Sequence, residues 1–252
     1  FSLGGGFVYN IGLVDLGRAL PVFYPDGTAG QATLKGTGTG MGYNVGVHYN
    51  LEDQFAISLS YRSKVVTKLE GGDATFEGPT SLAANFPNGK FDAELPLPST
   101  FNIGIAFPLS DKVQAAIDGS LINYDIYKEL VFDYENNTPV LQDTRSAKKY
   151  QNAFSGKAGI NYDVNDALAL RVGAGYVYTP VQSKYVYPET PDNNRVMAAG
   201  GVSYKFNPKW EMSAAYVFQK ILKRTTTNAE TLLHGAYETN IHAPGISLSY
   251  KW

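Results

Sequence analysis

The three histidines are the residues best suited to proton transfer or metal binding, and they lie far apart in the chain. His48, His234 and His242 fall on separate elements, and their spacing is not that of zinc ligands. His234 has Glu230 and Glu238 nearby, the one grouping from which a hydrolytic site in a surface loop could be built. The sequence has no nucleophile-elbow pattern, phosphate-binding loop or paired-carboxylate motif. These observations predict that the chain is not an enzyme and uses no catalytic residue, metal or cofactor.

The composition of the 252 residues favours β structure. Lys and Arg number 21 against 23 Asp and Glu, so nothing indicates a nucleic-acid partner. The absence of cysteine excludes disulfides and thiolate metal sites. The 18 Tyr, 13 Phe and 26 Gly suit strands with tight turns. No apolar run reaches the length of a spanning helix, which leaves spanning β-strands possible.

Apolar residues alternate with small or polar residues over long stretches, as in the last segment, "GISLSYKW" (245–252). Similar alternation flanks four short polar turns, at 50–54, 108–112, 163–167 and 207–209. Such period-two patterns predict strands rather than helices. The predicted strands, of which the run 112–133 is the least regular, are 2–16, 36–50, 54–70, 93–107, 112–133, 148–162, 167–180, 194–206, 210–224 and 238–252.

Longer polar segments separate the hairpins, and their Gly, Pro, Asn, Asp and Thr content predicts loops. These loops are 17–36, 71–92, 135–147, 180–194 and 225–239. Short turns therefore alternate with long loops, the asymmetry of periplasmic turns and extracellular loops in outer-membrane barrels. The prediction is a single domain over residues 1–252, an antiparallel transmembrane β-barrel with ten strands in this chain.

The two faces of the predicted strands decide between a soluble sandwich and a membrane barrel. The less apolar face carries mostly Gly, Ala and Ser, whereas a water-facing surface usually carries many charges. Aromatic residues lie on the apolar face beside the short turns, which indicates an interfacial girdle. They are Tyr49, Phe55, Phe107, Tyr162, Tyr204, Phe206, Trp210, Tyr250 and Trp252. Lipid is therefore expected to cover the apolar face, in a bacterial outer membrane, with barrel closure leaving no free edge.

Several segments resemble the long-chain fatty-acid outer-membrane transporters, the FadL type. "GMGYNVGVHYNLEDQFAISLSYRSKV" (40–65) is similar to a strand–turn–strand segment of that family. "LPLPSTFNIGIAF" (95–107) is similar to a Leu-Pro segment that opens a strand. "LRVGAGYVYTPV" (170–181) and "PDNNRVMAAGGVSYKF" (191–206) resemble two strands joined by a Pro-containing loop. The resemblance runs over nearly the whole chain.

The resemblance also implies what the chain lacks. Family members have fourteen strands and an N-terminal hatch with an Asn-Pro-Ala motif, and neither that motif nor the first four strands is present. The expectation is that the chain is the C-terminal portion of a longer protein and part of a fourteen-stranded barrel. A ten-stranded barrel remains an alternative.

The function implied is passive uptake of long-chain fatty acids or other hydrophobic molecules. A porin, or an adhesin that binds partners through its long loops, is the alternative. Apolar loop residues are candidates for hydrophobic capture, although loops packing on one another would give the same pattern. They are Leu20, Phe23, Tyr24, Phe86, Tyr185, Tyr187, Leu232 and Leu233.

Basic residues near the strand tops of family members imply a site for the substrate carboxylate. The matching candidates are Arg18, Lys148 and Lys149. A terminal aromatic, here Trp252, also resembles the signal that outer-membrane proteins present to their assembly machinery. The partners expected are therefore a hydrophobic ligand, membrane lipid and that machinery.

Overall fold

The computed structural model describes residues 1–51 and 54–252. Residues 52 and 53, in the predicted turn 50–54, lie outside the described residues. Among the residues described, no helix is long and apolar enough to cross a membrane. Three short 3-10 turns are present, at Thr80–Asn85, Tyr124–Ile126 and Ser183–Tyr185.

The structure is a fourteen-stranded antiparallel sheet. The strands are β1 (Ser2–Phe23), β2 (Ala29–Leu51), β3 (Phe55–Arg62), β4 (Val65–Glu77), β5 (Gly89–Leu97), β6 (Thr100–Ser110), β7 (Val113–Ile122), β8 (Glu129–Tyr134), β9 (Thr144–Ala147), β10 (Ala153–Asp163), β11 (Leu168–Tyr178), β12 (Arg195–Asn207), β13 (Trp210–Thr227) and β14 (His234–Tyr250).

The strands form a wall with a smaller extension at one end. The hydrogen-bonded order runs β14-β13-β12-β11-β10-β7-β6-β3-β2-β4-β5-β8-β9, and β1 pairs with the other edge of β2. β2 is long enough to pair with β3 through residues 44–51 and with β4 through residues 31–39. The extension formed by β4, β5, β8 and β9 therefore lies at the long-loop end of the wall.

The predicted count of ten strands is not confirmed. The predicted strands 54–70, 93–107 and 112–133 are each divided in two, and β9 lies in a predicted loop. In the 112–133 run the β6–β7 ladder ends at Ile122, although the Asn123 N–H still donates across to the Ser99 carbonyl (2.9 Å). The chain then makes a 3-10 turn, in which the Tyr127 N–H donates to the Tyr124 carbonyl (2.9 Å).

Three predicted loops are shorter than expected, because the flanking strands continue into them. Residues 17–36 are mostly strand, and only 24–28 form the turn between β1 and β2. Gly27 has a positive φ of 85° in this turn, a conformation that suits glycine. Similar extensions shorten the predicted loops 71–92 and 225–239. The Gly and Thr residues of these segments predict loops, but many of them pair in β-ladders.

The apolar face of the wall is bare of protein. Val172 is 62% exposed, Ile246 is 82% exposed and Trp252 is fully exposed. Water would make such a surface unfavourable by about 25 cal/mol per Å² of apolar area. Two cross-strand ring pairs of the predicted girdle lie at the short-turn end: Trp210 with Tyr250 (4.8 Å between centroids) and Tyr49 with Phe55 (6.1 Å). Both features are those of a face covered by lipid.

The largest group of buried apolar residues in the described ranges lies instead at the long-loop end. This cluster consists of Leu34, Leu69, Ala74, Phe76, Phe91, Tyr134 and Leu141. β4 approaches β2 so closely that a Cβ at Gly40 would lie 2.6 Å from the Val66 carbonyl oxygen. A Cβ at Gly38 would meet the Lys68 carbonyl at 2.8 Å. Glycine in the run "GTGTGMG" therefore permits this contact.

The sheet is open in the part of the chain that the structure describes. β14 bonds to β13 and β1 bonds to β2, and the two edge strands do not pair with each other. The closure expected from the sequence is therefore not confirmed. What the structure establishes is an all-β antiparallel wall with one apolar and one small-residue face.

Candidate ligand site at the outer rim

The segment 180–194, between β11 and β12, is held against β13 and the turn that follows it. Arg224 Nη1 donates to the Val181 carbonyl (2.8 Å) and Thr226 Oγ1 donates to the Ser183 carbonyl (2.5 Å). The Ala229 N–H donates to the Lys184 carbonyl (2.9 Å). Three carbonyls of the segment thus accept hydrogen bonds from β13 and from the turn that follows β13.

Asn228 holds the same segment through a further contact and is almost fully buried (1% exposed). Its Nδ2 donates to the Val186 carbonyl (2.9 Å). Its Oδ1 accepts the N–H groups of Glu230 (2.8 Å) and Thr231 (2.9 Å). The side chain therefore joins the turn 228–233 to the residue immediately before Tyr187.

Lys148 lies beside Tyr187, with its Nζ 3.9 Å from the ring centroid. Among residues 1–51 and 54–252, no carboxylate oxygen lies within the 4.0 Å salt-bridge distance of this ammonium. Burial lowers the pKa of Lys148, while the more distant Glu189 and Glu230 act in the opposite direction. The cation is thus partly dry and supported by a ring face rather than by an acid.

Glu230 is held by other donors. The Tyr187 hydroxyl donates to Glu230 Oε2. The Ala147 N–H donates to the same carboxylate, at 3.1 Å from Oε2. Burial, and then the bond to Glu230, raise the pKa of Tyr187 to about 12, so its hydroxyl stays protonated and remains a donor. The carboxylate is therefore satisfied without Lys148.

Lys149 is the second cation of the group. Its Nζ lies 5.1 Å from the ring centroid of Tyr185, and the Tyr185 hydroxyl raises the pKa of Lys149. Lys149 is exposed and has a φ of 44°, a conformation that is uncommon outside glycine. We call Lys148, Lys149, Tyr185, Tyr187 and Glu230 the outer-rim cluster.

Three further tyrosines pack together beginning at Tyr150, the residue after Lys149. Tyr150 packs edge-on against Tyr127 (5.2 Å between centroids) and Tyr124 (5.9 Å). Burial raises the pKa of Tyr127 to about 12. The N–H groups of Lys148 and Lys149 both donate to the Lys128 carbonyl, at 2.8 and 2.7 Å. The two lysines are therefore anchored by their backbone, and their side chains lie against Tyr187 and Tyr185.

The remaining predicted residues are distributed over the rim. Arg18 is exposed on β1 opposite Ala32 and makes no ion pair within the described ranges. Leu20 and Phe86 pack against the buried cluster, as loop packing would require. Phe23 is 64% exposed, and Tyr24 is half-buried. Leu232 (74%) and Leu233 (52%) remain exposed at the tip of their turn.

The histidines are not brought together. His234 Nδ1 lies 2.9 Å from Thr227 Oγ1, and His48 Nδ1 lies 2.9 Å from Ser58 Oγ. His242 bonds to Tyr216. Glu238 pairs with Lys220 at 2.9 Å, and Glu230 is bound by Tyr187. Among the described residues, His234 therefore makes no hydrogen bond to Glu230 or Glu238, the grouping considered from the sequence.

Sequence reasoning did not find Asn228 or the structural role of Glu230. The contacts that matter span 42 residues for Asn228 and Val186, and 83 for Glu230 and Ala147. No local spacing signals such pairs. The only local sign is an Asn two residues before a Glu, a pattern typical of side-chain-bonded turns.

The wall, its two faces and the rim loops define an all-β protein with one lipid-suited face and a candidate ligand site at the long-loop end. The chain belongs to the family described as "Outer membrane protein transport protein (OMPP1/FadL/TodX)", whose model matches residues 1–252. This confirms the resemblance found in the sequence and places the protein in the bacterial outer membrane as an integral protein. The family is one of transport, in line with the prediction that the chain is not an enzyme.

Individual relatives are distant. Outer membrane protein P1 of Haemophilus influenzae is 27% identical over 184 residues, which is 72% of this chain and 38% of that protein. The 47 kDa outer membrane protein of Pasteurella multocida is 22% identical over 229 residues, 87% of this chain and 52% of that protein. The chain thus spans about half the length of the curated relatives it matches.

Solved structures share the fold. A Pseudomonas aeruginosa FadL homologue superposes with a TM-score of 0.80 at 20% identity, covering 98% of this chain and 64% of that one. The Pseudomonas putida toluene transporter TodX gives a TM-score of 0.63 at 17% identity, with 99% and 65% covered. At these identities the likeness is one of architecture.

Proposed function

We propose that the protein passively carries hydrophobic small molecules across the outer membrane, and that its substrates include long-chain fatty acids. The outer-rim cluster is the part of the molecule that would receive such an amphiphile. Its two ammonium groups suit a carboxylate, and its tyrosine rings suit the first carbons of an acyl chain. No energy source or cofactor is needed for this role.

One observation carries the proposal: Lys148 is a half-buried cation with no acid partner in the described residues. A buried charge is normally paired, so an unpaired one at the mouth of a transport protein marks a place for an external anion. The ring of Tyr187 supports the ammonium without using its N–H donors. A fatty carboxylate would accept them.

The family description supports transport across the outer membrane. The Haemophilus and Pasteurella relatives are named as outer-membrane proteins, and one structural neighbour is named as a toluene transporter. An aromatic hydrocarbon has no carboxylate, so the cation distinguishes between substrate classes. Fatty acids use Lys148, whereas neutral hydrocarbons do not.

The test is binding of a sixteen-carbon fatty acid and of its methyl ester to the protein in phospholipid nanodiscs. We expect Lys148→Met to weaken acid binding by about 10- to 100-fold, since a charge-assisted hydrogen bond contributes about 1.5–3 kcal/mol. Ester binding should not change. Lys184→Met is the matched control, because Lys184 is an exposed lysine of the neighbouring loop, and it should alter neither ligand.

Equal affinity of the wild type and Lys148→Met for the acid would contradict the carboxylate site. Flux into vesicles tests transport separately: the protein should accelerate entry of the acid. A steady ion conductance with no acceleration of fatty-acid entry would favour the porin alternative instead.

A further inference from the structure

The buried amide of Asn228 joins two loops whose side chains build the outer-rim cluster, and its place there suggests a role in ligand specificity. The residue touches neither lysine. Its contacts are the Val186 carbonyl on one side and the N–H groups of Glu230 and Thr231 on the other. The Val186 contact is adjacent to Tyr187 in the chain, and the other contact is made with Glu230 itself. Tyr187 and Glu230 are the two residues of the cluster that act on Lys148.

On one side, Val186 immediately precedes Tyr187. The Val186 side chain is 1% exposed and Tyr187 is 8% exposed, so this piece of backbone is packed as well as hydrogen-bonded. Holding the Val186 carbonyl in place positions the backbone of Tyr187 and therefore its ring. The Lys148 ammonium lies 3.9 Å from the centroid of that ring.

On the other side, Asn228 Oδ1 sets the turn from which Glu230 projects. Glu230 then accepts from the Tyr187 hydroxyl and from the Ala147 N–H, the residue before Lys148. These two bonds occupy the carboxylate, and no ion pair joins it to Lys148 among the described residues. If Glu230 were released, it could neutralise Lys148, on which it already acts electrostatically together with Glu189.

We propose that Asn228 is a positioning residue for the outer-rim site, which keeps Glu230 on Tyr187 and so leaves Lys148 available to an external carboxylate. The proposal rests on the proposed function, since it assigns a specificity role within the same site. On this proposal, Lys148 has no acid partner because Asn228, 80 positions away in sequence, holds Glu230 in place.

The substitution Asn228→Ser separates the two halves of the contact. A serine hydroxyl can still accept the Glu230 N–H and preserve the local turn. It is too short to keep the bond to the Val186 carbonyl. Asn228→Ala removes both halves. Asn137→Ser is the matched control, because Asn137 is an exposed asparagine of another loop that donates to Asp143 at 3.1 Å.

The measurement is the ratio of acid to methyl-ester affinity in nanodiscs, alongside the wall's unfolding midpoint. We expect Asn228→Ser and Asn228→Ala both to lower acid affinity by roughly tenfold, because the released Glu230 then competes with the external carboxylate for Lys148, with ester affinity unchanged. The double variant Asn228→Ser/Glu230→Gln should recover acid binding, because the released side chain no longer carries a charge. Asn137→Ser should leave the ratio as it was.

Equal loss of acid and ester binding in both Asn228 variants would mean that the loop has only a structural role, and would overturn the inference. Failure of Glu230→Gln to rescue would overturn it too. If Lys148→Met discriminates acid from ester and Asn228→Ser does not, the inference fails while the proposed function stands. If Lys148→Met does not discriminate, the proposed function fails first.

Discussion

The wall and the outer rim of this protein are specified in different ways. In the wall, β10 and β11 pair without a register shift from Phe154–Tyr178 to Asp163–Ala169, and the sequence alternates throughout. At the rim, the decisive contacts join residues that are 42 to 83 positions apart and follow no period. A local pattern can therefore predict the wall but not the geometry of the site.

The same contrast appears in what surrounds each region. The wall exposes large apolar side chains on one face and small residues on the other. Its orientation is therefore set by the preference of the apolar face for lipid. The rim buries polar groups such as Asn228 and Thr179 and satisfies them with backbone carbonyls and acids. Stability of the wall should respond to hydrophobicity, and function of the rim should respond to individual hydrogen bonds.

The largest expected effect concerns the lipid-facing side of the wall. Val172→Arg places a charge on a side chain that is 62% exposed near the middle of β11, and should destabilise the membrane-inserted state by about 2–4 kcal/mol. Ala199→Arg, on the opposite face of the neighbouring strand β12, is the control and should cost much less. Denaturant titration in phospholipid vesicles measures both. Equal losses would remove the distinction between the faces.

The junction of wall and extension should be the next most sensitive place. Gly40→Ala puts a Cβ 2.6 Å from the Val66 carbonyl oxygen, and overpacking of this kind costs about 1–3 kcal/mol. At Gly46 the nearest atom to a new Cβ is 3.5 Å away, so Gly46→Ala should be close to neutral. Equilibrium unfolding of the two variants gives the comparison. A stable Gly40→Ala protein would mean that β4 does not press on β2.

A pH profile sharpens the assignment of the rim cation. Burial lowers the pKa of Lys148 below the ordinary lysine value of about 10.4. As the pH rises, this ammonium therefore loses its proton before an ordinary lysine does, and the site then loses its affinity for acids. Lys148→Arg should keep acid binding to higher pH, because a guanidinium remains charged. Acid affinity measured from pH 7 upward tests this. Identical alkaline limbs for the two proteins would exclude Lys148 as the titrating group.

The smallest effect is expected at the exposed tip of the turn 228–233. Leu232 is 74% exposed, so Leu232→Ser should leave the unfolding midpoint unchanged and slow fatty-acid association by only about two- to fivefold, within the free energy of burying one leucine side chain. Stopped-flow binding measures the rate. Thr231→Ser, at the adjacent position, is the control. A change in dissociation alone would argue against capture at this tip.

Much of the fold could be predicted from alternation, and the errors have physical causes. The predicted strands 167–180, 194–206 and 210–224 match β11, β12 and much of β13, because one face of each is apolar throughout. The predicted strand 112–133 is divided, because the ladder gives way to a 3-10 turn at Tyr124–Ile126. The turn-forming residues of segment 17–36 (Gly, Pro, Asp and Thr) predict a loop, although most of the segment extends β1 and β2.

For the candidate site, Lys148 and Lys149 are predictions from the resemblance, which alternation alone does not provide. Tyr185 and Tyr187, expected to capture hydrophobic molecules, lie against those lysines. Leu20 and Phe86 serve packing in the extension instead. Asn228 could not be anticipated, since its importance arises from the fold bringing it under Val186.

The account depends most on lipid covering the apolar face, and the two tryptophans allow a direct measurement. Trp210 and Trp252 are the only ones in the chain, and both lie at the short-turn end. In vesicles containing lipids brominated at different depths, their fluorescence should be quenched most strongly by bromines close to the headgroups. Fluorescence indifferent to brominated lipid, with the protein monomeric in water without detergent, would contradict the account.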